Sequence, residues 1–205
     1  MWQDNGLNGD AQRLEQLGWM LFLKIFSDKD QELELLNDDY RSPIPTEYRW
    51  ENWAGDDEGI TGDELLEFID QKLFPALRNL DISTGNKRAV IVREVFEGNN
   101  NYMKKGVHIR QVLNKLNEID FNSTKDKHAF GDIYESLLKD LQNAGKSGEF
   151  YTPRAITQFI TKTLNPQLGE RILDPACGTG GYLTAAIEYI YQQVDSVEDR
   201  QTLQD

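Results

Sequence analysis

A glycine-rich turn in the last quarter of the sequence carries the residue types that most clearly indicate chemistry. Residues 171–183 read RILDPACGTGGYL, a short apolar run followed by an aspartate, three glycines and a helical pattern. Glycine adopts left-handed conformations without strain and lets a ligand approach the backbone closely. A helix that begins after such a turn offers unpaired N–H groups and the positive end of its dipole to an anion. The pattern predicts a strand, a tight loop and a helix at a cofactor site.

This turn differs from two common phosphate-binding loops. No Gly-Lys-Ser or Gly-Lys-Thr follows it, which a Walker loop would require. Gly178, Gly180 and Gly181 also lack the G-x-G-x-x-G spacing of the dinucleotide fingerprint. The turn alone therefore does not identify a cofactor.

A second segment, GEFYTPR at residues 148–154, lies just upstream. Thr152 is a natural N-cap, and Pro153 suits the first position of a helix. The pattern predicts a helix from here to about Leu164, ended by Asn165-Pro166. Its first turn is a second place where an anion could bind.

Together the two segments resemble the motif pair of the N6-adenine DNA methyltransferases, and most closely the methylation subunits of type I restriction–modification systems. In that family a Gly-Glu-Phe-Tyr-Thr-Pro-Arg segment precedes an Asp-Pro-Ala-Cys-Gly-Thr-Gly-Gly loop at this separation. Upstream segments are also similar to the family: FLKIFSDK at 22–29, TGDEL at 61–65 and AFGDIYE at 129–135. The resemblance covers essentially all 205 residues.

The resemblance implies that these segments bind S-adenosylmethionine. The Tyr-Thr-Pro segment would fold over the methionine half, and Asp174 would accept a hydrogen bond from its ammonium group or fix the loop. Taken by themselves, Thr152 is also explained as a simple helix cap and Asp174 as a turn residue at a strand end. The predicted cofactor-binding residues are Glu149, Phe150, Tyr151, Thr152, Pro153, Arg154, Asp174, Gly178, Thr179, Gly180 and Gly181.

The catalytic segment of the family is not found in the sequence. In the family an Asn-Pro-Pro-Phe/Tyr segment holds the adenine that has been flipped out of the duplex. Asn165-Pro166-Gln167 is not a copy of it, because it precedes the glycine turn and lacks the second proline and the aromatic residue. We therefore expect no catalytic residue in these 205 residues, an inactive N-terminal piece of a longer enzyme, and weak or absent cofactor binding by the piece. No Cys/His spacing indicates a metal site.

The predicted fold is mainly α. A helical bundle is expected over residues 1–122, and the truncated start of a Rossmann-like α/β methyltransferase domain over residues 123–205. Residues 89–96 fit a strand or a buried helix, and we favour the helix because both neighbours are helical. Helices are predicted at 10–27, 31–36, 65–74, 89–96, 107–117, 125–143 and 152–164, and a strand at 171.

Local signals add three details to this prediction. A break is expected near Asp28–Asp30, between the first two helices, and a capping box at residues 61–64. Trp50 and Trp53 lie in an irregular connection, residues 40–59. They could stack on nucleic-acid bases, but we favour the interpretation that they pin a long loop to the helices.

The charge is unevenly distributed. The net charge is −13; residues 1–80 carry 18 acidic and 7 basic side chains, and residues 81–205 carry 17 and 15. The first part should repel DNA and favour protein partners. Seven basic residues could contact phosphate, although a solvated helix face is the simpler interpretation: Lys87, Arg88, Arg93, Lys104, Lys105, Arg110 and Lys115.

The resemblance implies DNA, a specificity subunit, a second methylation subunit and a restriction subunit as partners. A single cysteine, Cys177, and no signal peptide or membrane-spanning run predict a cytoplasmic protein with no membrane partner. Two other hypotheses are a helical module that only binds the specificity subunit or DNA, and a single-chain adenine methyltransferase of a related restriction family.

Overall fold

A computed structural model describes residues 1, 4–83, 85–122, 152–178, 180–194, 196 and 199, and these are mainly helical, with no strand among them. The prediction of a mainly α fold is confirmed for these residues. A 3-10 turn, Thr46–Tyr48, and a π-helical segment, Phe68–Leu73, accompany the α-helices. The α-helices are α1 (Asp10–Leu36), α2 (Trp50–Trp53), α3 (Gly62–Glu67), α4 (Phe74–Arg78), α5 (Lys87–Gly98), α6 (Gly106–Asn117), α7 (Arg154–Leu164) and α8 (Gly181–Tyr191).

The chain divides into two compact units, Met1–Leu137 and Leu138–Asp205. The domain boundary after residue 122 remains a prediction. The helix expected at 125–143 lies outside the described residues. No helix in the described part of the chain is both long and apolar enough to cross a membrane.

Helix α1 runs without interruption through Asp28 and Asp30, so the break expected there is wrong. Both carboxylates are buried and have partners. Asp28 accepts from Lys24 Nζ at 2.5 and 2.7 Å, one turn earlier in the helix. Asp30 accepts from the Tyr40 hydroxyl at 2.6 Å and pairs with Arg88. These side chains are held by tertiary contacts, which outweigh the weak helix propensity of aspartate.

Three aromatic side chains join α1, α4 and α5 in the core of the first unit. Trp19 meets Phe74 edge to face with ring centroids 5.1 Å apart, and Phe74 meets Phe96 at 5.0 Å. All three side chains are buried. Edge-to-face ring pairs stabilise a core beyond the apolar area that they bury.

The connection at residues 40–59 is pinned by its two tryptophans, as predicted. Trp50 and Trp53 are 4% and 5% exposed. Trp50 Nε1 donates to Asn117 Oδ1 at 2.8 Å, and Trp53 Nε1 donates to the Tyr48 carbonyl at 3.2 Å. With their rings buried and their N–H groups bonded within the chain, they are not available to stack on bases.

The capping box predicted at residues 61–64 and the helix predicted at residues 89–96 have opposite outcomes. Thr61 is the N-cap of α3, but its side chain makes no capping bond, so the predicted capping box is wrong. Helix α5 is confirmed: the Asn86 side chain accepts from the amides of Arg88 and Ala89 at 3.0 and 3.3 Å. This cap, together with burial of Val92 and Phe96, holds a β-branched sequence in a helix.

The π-helical segment lies directly before Pro75. Its widened turn is closed by the Phe74 amide, which bonds to the Ile69 carbonyl five residues earlier. In an α-helix the Pro75 ring would press on the carbonyl of Gln71, four residues earlier. The widened turn lets the chain continue into α4 without that clash.

All three arginines among the seven basic residues considered for phosphate contact are bound within the chain. Arg88 pairs with Asp30 and lies 4.2 Å from the centroid of the Phe26 ring. Arg93 pairs with Glu97. Arg110 is only 6% exposed. Both interpretations considered for Arg110, phosphate contact and a solvated helix face, are wrong, because its guanidinium lies inside the unit.

The Arg110 guanidinium binds the loop that follows α2. It donates to the carbonyls of Trp53 (2.9 Å), Ala54 (3.1 Å), Asp56 (2.9 Å) and Ile60 (2.7 and 3.0 Å). Burial lowers the pKa of Arg110 below its ordinary value, an effect opposed by the nearby carboxylates of Asp56 and Asp57. The group stays charged at neutral pH and fixes the loop to α6.

The buried carboxylate of Asp4 ties the N-terminal segment to the start of α6. It accepts from the amides of Gly6 (2.9 Å), Lys104 (2.9 Å) and Lys105 (3.1 Å), and lies 3.3 Å from His108 Nδ1. Burial alone would raise the pKa of Asp4, but these hydrogen bonds outweigh it and hold the pKa below 3.8. A folded-state pKa below the unfolded value means that ionised Asp4 stabilises the fold.

We predict that Asp4→Asn lowers the free energy of unfolding at neutral pH by about 1–3 kcal/mol, because the Asn amide cannot accept the bonds that one carboxylate oxygen accepts. The contribution of Asp4 is complete above its unfolded pKa and is lost as the pH falls through its lower folded pKa. Urea unfolding between about pH 5 and pH 2 should therefore show a smaller loss of stability for Asp4→Asn than for the wild type. The exposed control Asp38→Asn should match the wild type; equal slopes for all three proteins would contradict the prediction.

Candidate functional site

The site is built from the start of α7, the glycine turn and the start of α8. Thr152 was predicted to cap α7, and this is wrong by one residue: the N-cap is Pro153. Proline fixes only φ, and Pro153 has an extended ψ of 139°. Its carbonyl accepts from the amides of Ile156 (2.9 Å) and Thr157 (3.2 Å). Thr152 therefore precedes the cap and is exposed.

Helix α7 ends at Asn165, a left-handed residue with φ 50° and ψ 55°. Asparagine tolerates this conformation better than most residues. Its Oδ1 accepts from the Tyr189 hydroxyl of α8 at 2.8 Å. The Asn165-Pro166 pair therefore ends a helix, as the sequence predicted.

The strand predicted at Arg171 is not formed. Residues 171–174 have no regular secondary structure, and Ile172 and Leu173 are 44% and 86% exposed. A strand is defined by hydrogen bonds to a neighbour, and the described residues provide no neighbouring strand. The apolar residues are those of a buried strand, but no strand among the described residues pairs with them.

The turn after Asp174 is closed by two local hydrogen bonds, one to a side chain and one within the backbone. Asp174 Oδ1 accepts from the Ala176 amide at 3.1 Å, and the Gly180 amide donates to the Cys177 carbonyl at 2.7 Å. Gly178 and Gly180 have φ of +53° and +78°, where a side chain would be strained. Two of the predicted glycines are thus required by the backbone itself.

The second carboxylate oxygen of Asp174 is an unpaired buried acceptor. Asp174 Oδ2 is shielded from solvent and accepts no hydrogen bond from the described residues. An unpaired buried oxygen is costly, and more so if it is charged. Its position next to the turn fits a donor that comes from a ligand, such as an ammonium group.

The starts of α7 and α8 lie against each other. Thr157, in the first turn of α7, is 2% exposed, and its Cγ2 lies 3.6 Å from where a Cβ on Gly181 would be. Asn165 and Tyr189 join the other ends of the two helices. The helices therefore run in the same direction, and the N–H groups of their first turns are at the same end.

Sequence reasoning missed the residues that make this contact. They are small or β-branched side chains of the two packed helices, and all are buried: Thr157, Thr161, Ala185 and Ala186. The four-residue spacing of the two threonines was the available signal. Small side chains let two helices approach closely, which fixes the position of the glycine turn between them.

The predicted residues therefore fall into three groups. Glu149, Phe150, Tyr151 and Thr179 lie outside the described residues. Thr152 precedes the N-cap Pro153, and Arg154 is the first residue of α7, with its Nη2 3.5 Å from Glu188 Oε1 of α8. Asp174, Gly178, Gly180 and Gly181 form the turn and the start of α8. The role of all of them in cofactor binding remains a prediction.

Two family models match the chain. The model described as HsdM N-terminal domain matches residues 1–117, and the model described as N-6 DNA Methylase matches residues 125–204. The methylase subunit of the type I restriction enzyme EcoEI from Escherichia coli is 55% identical over 206 residues, covering 100% of this chain and 42% of that subunit. The chain thus spans less than half the length of this relative.

Two solved structures are similar to the whole chain. A modification subunit of a putative type I restriction enzyme from Vibrio vulnificus YJ016 is 42% identical with a TM-score of 0.88, covering 100% of this chain and 46% of that one. A second structure is described as showing the structural basis of complex assembly and conformational transition of the type I R-M system. It is 35% identical with a TM-score of 0.78, and the match covers 99% of this chain and 41% of that one.

Proposed function

Because the chain belongs to the family of type I restriction enzyme methylase subunits, we propose that it is the N-terminal part of a longer subunit that methylates DNA. That subunit transfers a methyl group from S-adenosylmethionine to N6 of adenine. A specificity subunit recognises the target sequence. The single observation that carries the proposal is the buried Asp174 Oδ2, which accepts no hydrogen bond from a described residue, beside a glycine turn that opens a helix.

The charges around the turn complement the ammonium and carboxylate groups at the amino-acid end of S-adenosylmethionine. The buried carboxylate oxygen of Asp174 offers an acceptor to the cofactor's ammonium group. The start of α8 offers N–H groups and a positive dipole to its carboxylate. Gly178 and Gly180 leave the backbone uncovered, so the ligand can approach both groups.

The residues of this chain bind and orient the cofactor and take no part in the chemical step. S-adenosylmethionine brings an already activated methyl group on its sulfonium, so the protein has to align donor and acceptor for in-line displacement. The proposed cradle fixes the donor. The acceptor adenine is held by an Asn-Pro-Pro-aromatic segment, which these 205 residues do not contain. The chain by itself therefore does not methylate DNA.

We propose that residues 123–205 begin a Rossmann-like domain and that residues 171–173 form its first strand in the longer protein. The support is an apolar surface on the second unit that needs a cover. It includes Leu173 at 86% exposed and Phe159 at 69%. A parallel strand is stable only between neighbours and with both faces covered, and the longer protein supplies both. Residues 1–122 form a separate helical domain.

The proposed partners are DNA, the specificity subunit, a second methylation subunit and the restriction subunit. The net acidic charge of residues 1–80 makes that part a protein-binding surface rather than a DNA-binding one. A cytoplasmic location is proposed because the substrate is DNA and the single cysteine forms no disulfide within the chain.

The test is methyl transfer from tritiated S-adenosylmethionine to unmethylated genomic DNA. The longer subunit, purified with its specificity subunit, should place label in N6-methyladenine, and the 205-residue chain should transfer none. Label in cytosine, or none with the full complex, would overturn the proposed reaction. Transfer by the 205-residue chain would overturn only the claim that it is inactive.

A further inference from the structure

A concave surface on the first unit, which we name the acidic groove, lies between residues 47–60 and residues 64–72. Its volume is about 440 Å³. It is wide enough to take a side chain or a short peptide segment rather than a water molecule. The residues that decide its chemistry are Glu47, Asp56, Ile60, Glu64, Glu67 and Phe68.

The rim of the groove is negative. Four carboxylates line it, against one basic lining residue, Lys72, and the Arg110 guanidinium behind the wall, which interacts electrostatically with Asp56. Glu47, Glu64 and Glu67 are exposed and form no ion pair with a described residue. Carboxylates that converge on a concave site with apolar walls focus a negative potential there. The groove therefore repels phosphate and attracts cations.

The floor of the groove is apolar and aromatic. Ile60 and Phe68 are partly exposed. The Phe68 ring lies 5.5 Å from Trp53 and 6.1 Å from Tyr48, measured between centroids. Such a floor packs the methylene stem of an arginine or lysine, and an aromatic ring also attracts its charged head.

The wall formed by residues 53–60 is held in place before any ligand arrives. Arg110 binds the carbonyls of Trp53, Asp56 and Ile60 from behind, at 2.7–3.0 Å. A Cβ on Gly59 would lie 3.1 Å from Arg110 Nη2, so the loop packs directly on the guanidinium. A preformed site loses little conformational entropy on binding.

We propose that the acidic groove docks an arginine- or lysine-bearing segment of a protein partner. The complementary charges select a basic protein segment, and the apolar floor selects side chains with long stems over small cations. The inference concerns assembly and does not depend on the proposed methyl transfer.

The probe is a tetra-arginine amide titrated into the 205-residue chain at low salt and followed by amide resonances. We expect shifts at Gly59, Ile60 and Phe68. The double variant Glu64→Gln/Glu67→Gln should weaken binding by about fivefold or more, because charge pairs at a rim add up. The matched control Asp38→Asn/Glu94→Gln removes two exposed charges outside the groove and should change affinity less than about twofold.

Circular dichroism checks that both double variants are folded, and the location of the shifts is an independent readout in the wild type. Equal weakening by the two double variants, shifts spread over the acidic surface, or no binding would overturn the proposal. A DNA duplex that shifts the same three resonances would overturn the choice of a protein partner.

Discussion

Arg110→Met is expected to lower the free energy of unfolding of the first unit by about 3–5 kcal/mol. Methionine fills a similar volume but donates no hydrogen bond. The carbonyls of Trp53, Ala54, Asp56 and Ile60 then lose the five bonds they now accept. Urea denaturation followed by tryptophan fluorescence measures the change, since Trp50 and Trp53 are buried beside this loop.

Two further variants test the cause of this loss. Arg93→Met makes the same substitution at a half-exposed ion pair. It should lower the free energy of unfolding by less than about 1 kcal/mol. Arg110→Lys keeps the charge but has only three donors on one atom, and should lie between Arg110→Met and the wild type. If Arg110→Met were as mild as Arg93→Met, Arg110 would not organise the loop, and the preformed groove wall would lose its support.

Gly180→Ala is expected to weaken S-adenosylmethionine binding by the longer subunit by about tenfold or more, because alanine at φ +78° costs about 1–2 kcal/mol and moves the turn. Gly181→Ala separates strain from contact with the ligand. Gly181 has no left-handed φ, and its Cβ would meet Thr157 at an ordinary 3.6 Å. Gly181→Ala should therefore keep the fold and lose affinity only if the cofactor approaches this backbone.

The control for strain is Gly169→Ala. Gly169 also has a left-handed φ, +86°, but it lies before Arg171, outside the turn that forms the proposed cradle, and a Cβ there would meet no atom within 4 Å. It should lower thermal stability as Gly180→Ala does, while isothermal titration shows unchanged cofactor affinity. If Gly169→Ala and Gly180→Ala reduced affinity equally, the effect would come from general destabilisation, and the glycine turn would have no special role.

The helices were the part of the fold that local sequence could predict. Helix α5 was predicted despite its β-branched residues because the adjoining segments are helical, and the structure adds an N-cap, Asn86, that was not predicted. The break expected at Asp28–Asp30 was wrong because those carboxylates are satisfied by residues far along the chain, Phe121 and Arg88 among them. Tertiary partners of this kind leave no local signal.

Arg110 is a second residue whose tertiary partners local sequence could not predict. In the sequence it is one of seven basic residues between positions 87 and 115. Nothing in its neighbours distinguishes it from Arg93, which is half-exposed. Arg110 is buried by a loop 50–57 residues earlier in the chain, whose carbonyls accept hydrogen bonds from its guanidinium.

For the candidate site, the sequence predicted the glycine turn and the helices around it, but not their contact. Gly178 and Gly180 were predicted to be needed for the turn, and their left-handed φ values confirm this. The cap of α7 was misplaced by one residue, since proline's fixed φ does not determine its ψ. The local pattern predicted a strand at Arg171, but a strand forms only when it pairs with a neighbouring strand, and the described residues provide none.

The most direct test of the account is a crystal structure of the longer subunit with S-adenosylmethionine bound. We expect the ammonium nitrogen of the cofactor within about 3 Å of Asp174 Oδ2 and its carboxylate at the first turn of α8. A cofactor bound elsewhere, with the Asp174 oxygen paired to a protein donor instead, would contradict the account.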